Sequence, residues 1–174
     1  LEEAKLQRMP AEKPLSRKVA LVSGAGGGIG SAIAQKLITQ GANVVFSDLN
    51  EENLKKETAP YNNDTAVSIA GNITNAEDVK KAIDLCCLQF GGLDIIVHSA
   101  GLAISKSLED TAEKDWDILQ DVLVKGQFLL AREATPVLKT QKMGGDFINI
   151  ASKNGIVAGP NNVAYGTAKA AQQH

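Results

Sequence analysis

Aromatic residues make up only 4% of the 174, the net charge is −2 from 18 basic and 20 acidic side chains, and there are two cysteines. Each shortage excludes something. With no basic stripe and few rings for bases to stack on, the chain lacks the footprint of a nucleic-acid binder. No apolar run approaches the roughly eighteen residues a membrane helix needs, and the charged, proline-bearing start is unlike a signal peptide, so no membrane partner is expected. Cys86 and Cys87 are adjacent, a spacing ill-suited to bridging, and no second pair exists. The chain therefore reads as reduced, intracellular and cytoplasmic, with the two thiols as small residues on a helix. What remains, 44% hydrophobic and 22% charged, is the composition of a globular domain that needs neither disulfide nor metal.

Glycine is what the sequence has in quantity, 16 against 5 prolines, and its bunching suggests backbone brought close to a ligand. Residues 1–16 mix charge with Pro10 and Pro14 and read as a tail or interdomain linker, leaving 17–174 as the domain. From there strands and helices alternate. Short apolar runs at 18–22, 43–46, 66–69, 94–97 and 147–150 read as buried strands. Between them helices are expected from Ile29 to a cap at Gly41, over 51–59, over 76–90, from Thr111 to Lys139, and from Val163 onward. In the long helix Trp116, Leu119, Leu123, Gly126 and Leu130 form an apolar stripe, and Pro136 is expected to end or kink it. Alternation of this kind implies right-handed crossovers and a doubly wound parallel sheet in a three-layer αβα, or Rossmann, arrangement.

The turn Ser23-Gly24-Ala25-Gly26-Gly27-Gly28-Ile29-Gly30 joins the first strand to the first helix. Glycines there let the backbone approach a pyrophosphate, and the free N–H groups and dipole of the helix attract its charge. Asp48 closes the next strand eighteen positions after Gly30. Its carboxylate suits a ribose 2′-OH and repels a 2′-phosphate, which selects NAD over NADP. A turn residue after a strand is the plainer account of it. The spacing is not G-x-G-x-x-G, because Ile29 falls where the third glycine belongs. Glycine at 24, 28 and 30 after the hydroxyl of Ser23 resembles instead the short-chain dehydrogenase/reductase family, whose signature begins with threonine.

Tyr165 and Lys169, four apart, are neighbours on one helix face, and Ser152 follows the fifth strand at the carboxyl edge, where open sheets hold ligands. Moving a hydride to or from a carbon bearing oxygen requires a proton to move on that oxygen. A lysine ammonium beside a tyrosine favours the phenolate, which makes the tyrosine a usable acid/base. An ordinary exposed helix pair is the competing account. The resemblance extends here, since the family carries serine thirteen residues before the tyrosine of Tyr-x-x-x-Lys. It implies that Tyr165 is the catalytic acid/base, that Lys169 tunes it and binds the nicotinamide ribose, and that Ser152 polarises the substrate carbonyl. It further implies cofactor contacts from Ser23, Gly24, Gly28, Ile29, Gly30, Asp48, Asn72, Ile73, Ser99, Ala100 and Gly101. A homodimer or homotetramer is implied as well, with the 116–130 stripe and the final helix packed on symmetry mates.

Departures from the family pattern matter too. Its Asn-Asn-Ala-Gly is His98-Ser99-Ala100-Gly101 here, and His98 reads as a strand-end histidine with one local hydrogen bond rather than a base. Asn72 stands where an aspartate is usual. Leu123 stands where the family's fourth catalytic residue, an asparagine, anchors a proton relay through water, and leucine can neither donate nor accept. Within the family the chain is similar to the dehydrogenase half of bacterial bifunctional rhamnulose-1-phosphate aldolase/short-chain dehydrogenases. Leu1 to Leu6, Arg8-Met9-Pro10, Glu12-Lys13-Pro14-Leu15, Asp121-Val122-Leu123, Ala131-Arg132-Glu133-Ala134 and Ala151-Ser152-Lys153-Asn154 carry that likeness. It implies an upstream aldolase domain and lactaldehyde as substrate. Two functions are thus in view: an NAD-dependent oxidoreductase of a small alcohol, aldehyde or ketone, and a dinucleotide-binding module without turnover, motivated by Leu123. The usual fold has six strands and this chain shows five. It therefore reads as truncated after the fifth strand and the start of the next helix, with that strand as an open edge and with no competent substrate pocket of its own.

Overall fold

A computed structural model describes residues 12–174. Residues 1–11 of the expected tail, with the likeness read from them, lie outside the described residues. Five parallel strands form one sheet: β1 (Val19–Ser23), β2 (Asn43–Asp48), β3 (Ala66–Ala70), β4 (Ile95–His98) and β5 (Asp146–Asn149). Their order is β3-β2-β1-β4-β5. The helices are α1 (Gly28–Thr39), α2 (Glu51–Thr58), α3 (Ala76–Phe90), α4 (Glu113–Leu119), α5 (Gly126–Gln141) and α6 (Val163–Gln173). A π-helical turn, Gln120–Lys125, joins α4 to α5, and a 3-10 turn, Lys153–Gly155, follows β5.

Every residue of β1 is buried, because the strand is covered on both faces. Val19 and Leu21 point to a layer with Ile83 and Cys86 of α3 and Leu130 of α5. Ala20 and Val22 point the other way, to Phe46, to Ala34 of α1 and to Leu54 of α2. Burying each such aliphatic side chain contributes about 1.5–3 kcal/mol before the entropy of ordering is subtracted. This is the doubly wound α/β fold that the alternation predicts, with the strand and helix ends shifted by no more than about two residues. Cys86 belongs to the core and its neighbour Cys87 is only half-buried, both as free thiols; burial pushes both thiols up.

Four expectations are corrected. The end of the tail is part of the domain: Leu15 packs on the α1–α2 face and its N–H donates to the Gln40 carbonyl at 2.9 Å. Pro136 lies inside α5 without ending it; it is exposed, so water can satisfy the carbonyl it deprives of a donor. The long helix is not one α-helix but two, joined by the π turn. Its apolar stripe is also not a free face, because Leu119, Leu123 and Leu130 are at most 1% exposed inside this chain's own core. Trp116, expected in that stripe, is 39% exposed, and Phe128 at 57% is the large apolar side chain of α5 that faces outward.

The architecture fixes where a ligand can sit. Ser23, Asp48, Ala70, His98 and Asn149 end their strands at one edge of the sheet. Between β1 and β4 the strand order reverses, which opens a crevice at that edge. Among the described residues β5 pairs with β4 alone.

Candidate active site

A cavity of about 740 Å³ occupies the crevice. The turn between β1 and α1 forms one wall, and two of its glycines do so by necessity. Gly24 has φ +69°, and a Cβ on it would come 2.6 Å from the Ala100 nitrogen. A Cβ on Gly30 would come 2.1 Å from the Gly24 carbonyl oxygen. Gly27 and Gly28 are different: a Cβ on either meets nothing within 4 Å, so their bare backbone leaves open space along the cavity wall. The helix behind them is equally open. α2 and α3 are capped by Asn50 and Asn75 with acidic residues in the first turn, whereas α1 starts at Gly27 with no side-chain cap and no acidic residue. Its first N–H groups and dipole are left for an outside anion, which fits a pyrophosphate.

Asp48 lines the same cavity, and both of its carboxylate oxygens are tied to backbone: Oδ2 accepts from Gly26 N–H and Oδ1 from Asn50 N–H, each at 2.9 Å. The carboxylate is thereby aimed by the glycine turn, with lone pairs left for a diol. Asn72 and Ile73, after β3, also face the cavity. The Asn72 amide oxygen is already used by the Thr74 N–H and hydroxyl at 3.0 and 2.9 Å. Ser99, Ala100 and Gly101 complete the wall after β4.

Those last residues hang from Ser23. Its hydroxyl oxygen accepts from the Ser99 and Ala100 N–H groups at 3.3 and 3.2 Å and lies 3.1 Å from His98 Nδ1. His98 Nε2 is 3.2 Å from the Leu123 carbonyl. A carbonyl can only accept, so Nε2 carries the hydrogen and Nδ1 accepts from Ser23. His98 thus has two specific partners rather than one local bond, and it is 1% exposed.

Burial lowers the His98 pKa from 6.5 to about 4. Between those values the unfolded chain binds a proton that the folded chain refuses, so this stability is complete above about pH 6.5 and is lost as the pH falls toward 4. The loss is about 3 kcal/mol. Denaturant titrations of the complete protein between pH 7 and 4.5 should show it as a difference between the protein and its His98→Gln variant. Identical slopes would refute the assignment.

Tyr165 and Lys169, one turn apart on α6, line the same cavity as the glycines. Lys169 is 6% exposed, its Nζ donates to the Ile150 carbonyl at 2.7 Å, and it lies 5.8 Å from the centroid of the Tyr165 ring. Burial holds its pKa below the usual lysine range. Every residue the sequence points to as a cofactor contact lines this one cavity.

Ser152 does not belong to that wall. Its hydroxyl oxygen accepts from Asn154 N–H at 3.2 Å and caps the 3-10 turn, which leaves the hydroxyl hydrogen to be donated elsewhere. The Leu123 side chain packs with Leu119, Ala164 and Ala168 and reaches the cavity beside Gly101. Sequence reasoning did not single out Ile118 and Val122, which line the cavity from α4 and the π turn. They stand four apart, and that spacing was the available signal.

The comparisons bear on the family and the fold. The family described as short chain dehydrogenase matches residues 18–174. The chain is 40% identical over 178 residues to the uncharacterised oxidoreductase YuxG of Bacillus subtilis (strain 168), a match covering all of the chain and 26% of that protein. It is 38% identical over 157 residues to an uncharacterised oxidoreductase of Staphylococcus aureus (strain USA300), covering 90% of the chain and 68% of the relative. A crystal structure of NAD+-bound xylitol dehydrogenase superposes with a TM-score of 0.85 at 32% identity, over 91% of this chain and 62% of that one. A short-chain type dehydrogenase/reductase from Mycobacterium marinum gives 0.84 at 31%, over 90% and 65%. The chain therefore spans about a quarter of the Bacillus relative and under two thirds of either crystallised chain. By the extent of the family match and by the fold, it belongs to the short-chain dehydrogenase family.

Proposed function

We propose that this chain is the cofactor-binding and proton-handling part of an NAD-dependent oxidoreductase acting on a small alcohol, aldehyde or ketone. The observation that carries the reading is that Tyr165 and Lys169 face the same cavity as the glycine turn and Asp48. Bound there, NAD supplies a nicotinamide ring that takes or gives the hydride. The rest is done by the chain. Gly24, Gly28, Ile29 and Gly30 hold the pyrophosphate against the start of α1, and Asp48 accepts from the adenosine ribose hydroxyls. Asn72, Ile73, Ser99, Ala100 and Gly101, which line the same cavity, would help hold the dinucleotide there. Lys169 donates to the nicotinamide ribose, and Tyr165 gives or takes the proton at the substrate oxygen. Ser152 stands next to Ala151 of the cavity wall but outside it, so the role proposed for its hydroxyl hydrogen, orienting that oxygen, requires the substrate to extend past the wall toward it.

Lactaldehyde, as the product of an aldolase in the same polypeptide, is the substrate we propose. What supports a second half is that the match accounts for only 26% of the Bacillus relative. We further propose a cytoplasmic homodimer or homotetramer; no helix among the described residues is long and apolar enough to cross a membrane. The test is NADH-linked turnover by the complete protein with a panel of small hydroxyaldehydes, alcohols and ketones. Dinucleotide binding with no turnover on any of them would favour the non-catalytic module instead. Cofactor choice is tested separately. NAD should bind the complete protein at least about tenfold more tightly than NADP, and Asp48→Asn should narrow the gap by removing the charge that repels a 2′-phosphate. Tighter binding of NADP by the unaltered protein would overturn the role given to Asp48.

A further inference from the structure

One carbonyl in the long helix is held in an unusual way. In the π turn the Gly126 N–H reaches back five residues, rather than four, to the Asp121 carbonyl. The Leu123 carbonyl in this turn accepts from two side chains: His98 Nε2 at 3.2 Å from the sheet and Gln172 Nε2 at 2.9 Å from α6. Gln172 is 4% exposed, and its amide oxygen is buried without a partner. A residue kept for packing alone would avoid that orphan, since leucine fills similar space at no polar cost. The N–H to the Leu123 carbonyl is therefore what a glutamine adds here. Gln172 also stands three residues from Lys169, on the same face of α6.

Continuous hydrogen bonds follow. The Ser99 and Ala100 N–H groups donate to Ser23, Ser23 to His98, and His98 and Gln172 to Leu123. The cofactor wall at one end and the helix of Tyr165 and Lys169 at the other are joined through a single backbone oxygen. Resting on the oxidoreductase reading above, we propose that His98 and Gln172 are positioning residues, which fix the Tyr165–Lys169 helix against the cofactor wall by donating to the same Leu123 carbonyl.

The two nitrogens of His98 can be tested apart. A glutamine's amide reaches about as far as Nε2 and so serves Leu123; an asparagine's reaches about as far as Nδ1 and serves only Ser23. In the complete protein Gln172→Leu and His98→Asn should lower kcat about tenfold or more while the KM for NAD stays within about threefold, and His98→Gln should recover most of kcat. Rescue by asparagine as complete as by glutamine would overturn the proposal, and so would losses of kcat that merely track the melting temperature. A second readout needs no turnover: competitive acetylation of the Lys169 amine, mapped by mass spectrometry, should rise about threefold or more in Gln172→Leu and His98→Asn but not in His98→Gln. Unchanged Lys169 reactivity in all three would overturn the positioning role. If the acetylation pattern appears while the unaltered protein turns over no substrate, the oxidoreductase reading fails and the positioning of Lys169 stands.

Discussion

Tyr165→Phe should lower kcat of the complete protein by about 10²–10⁴ while leaving NAD affinity and the melting temperature nearly unchanged. The separation is expected because the two parts of the side chain do different work. The ring is half-buried against the cluster of Leu119, Leu123, Ala164 and Ala168 and keeps its contact with the Lys169 ammonium, and phenylalanine preserves both. The hydroxyl is the proton carrier proposed for the substrate oxygen, and nothing else in the cavity wall offers a neutral acid at that place. Lys169 is engaged at the Ile150 carbonyl, and His98, with its pKa depressed to about 4, is locked between Ser23 and Leu123. The expected loss corresponds to roughly 3–5 kcal/mol of transition-state stabilisation. Steady-state kinetics with NAD binding measured alongside would decide it. Retention of more than about a tenth of kcat would remove Tyr165 from the chemistry.

Gly30→Ala should sharply weaken cofactor binding by a different route. The added methyl would lie 2.1 Å from the Gly24 oxygen and 2.6 Å from the Gly24 carbonyl carbon. Those are backbone atoms that cannot rotate away, and Gly24 itself has no room to retreat, because its own Cβ position is 2.6 Å from the Ala100 nitrogen. Overpacking of this kind costs about 1–3 kcal/mol, enough to weaken NAD binding about 10–100-fold if the strain is relieved by opening the turn. The melting temperature should also fall by several degrees. Gly27→Ala is the control: its methyl enters open space on the cavity wall, so it should weaken NAD binding by occupying that space while costing the fold no more than about 1 kcal/mol as a poorer helix cap. Calorimetric titration with thermal melting separates the two. Equal melting and equal affinity for both variants would contradict the account of the turn.

The fold was legible because its signals are local. β-branched runs between turn residues mark strands buried on both faces, and glycine at 24, 28 and 30 with Tyr165 and Lys169 four apart are spacings a reader can count. The π turn was not legible. Leu119, Leu123, Gly126 and Leu130 keep the three-and-four rhythm of an ordinary helix, and one wider turn does not disturb it. Nor could the part played by His98 be read, since its partner carbonyl lies 25 positions away and that of Gln172 lies 49 away. Bonds of that span depend on how layers stack, which no periodicity encodes. Ser152 shows the opposite limit. Its position after β5 was predicted from spacing, but its hydroxyl oxygen is claimed by the adjacent Asn154 N–H, a local competition common for serine at the start of a turn.

The hold of Gly26 and Asn50 on the Asp48 carboxylate bears on how such a protein could change its diet of cofactors. A mutation that drops the carboxylate to admit a 2′-phosphate also strips acceptors from two backbone N–H groups, one of them in the glycine turn itself. On the NAD reading proposed above, the first step toward NADP would therefore loosen the glycine turn at Gly26 before any new phosphate contact existed to compensate. Lineages descending from this sequence should cross that valley only by changing Asp48 together with a neighbour that supplies a replacement acceptor, so altered preference is expected to arise as coupled substitutions rather than singly.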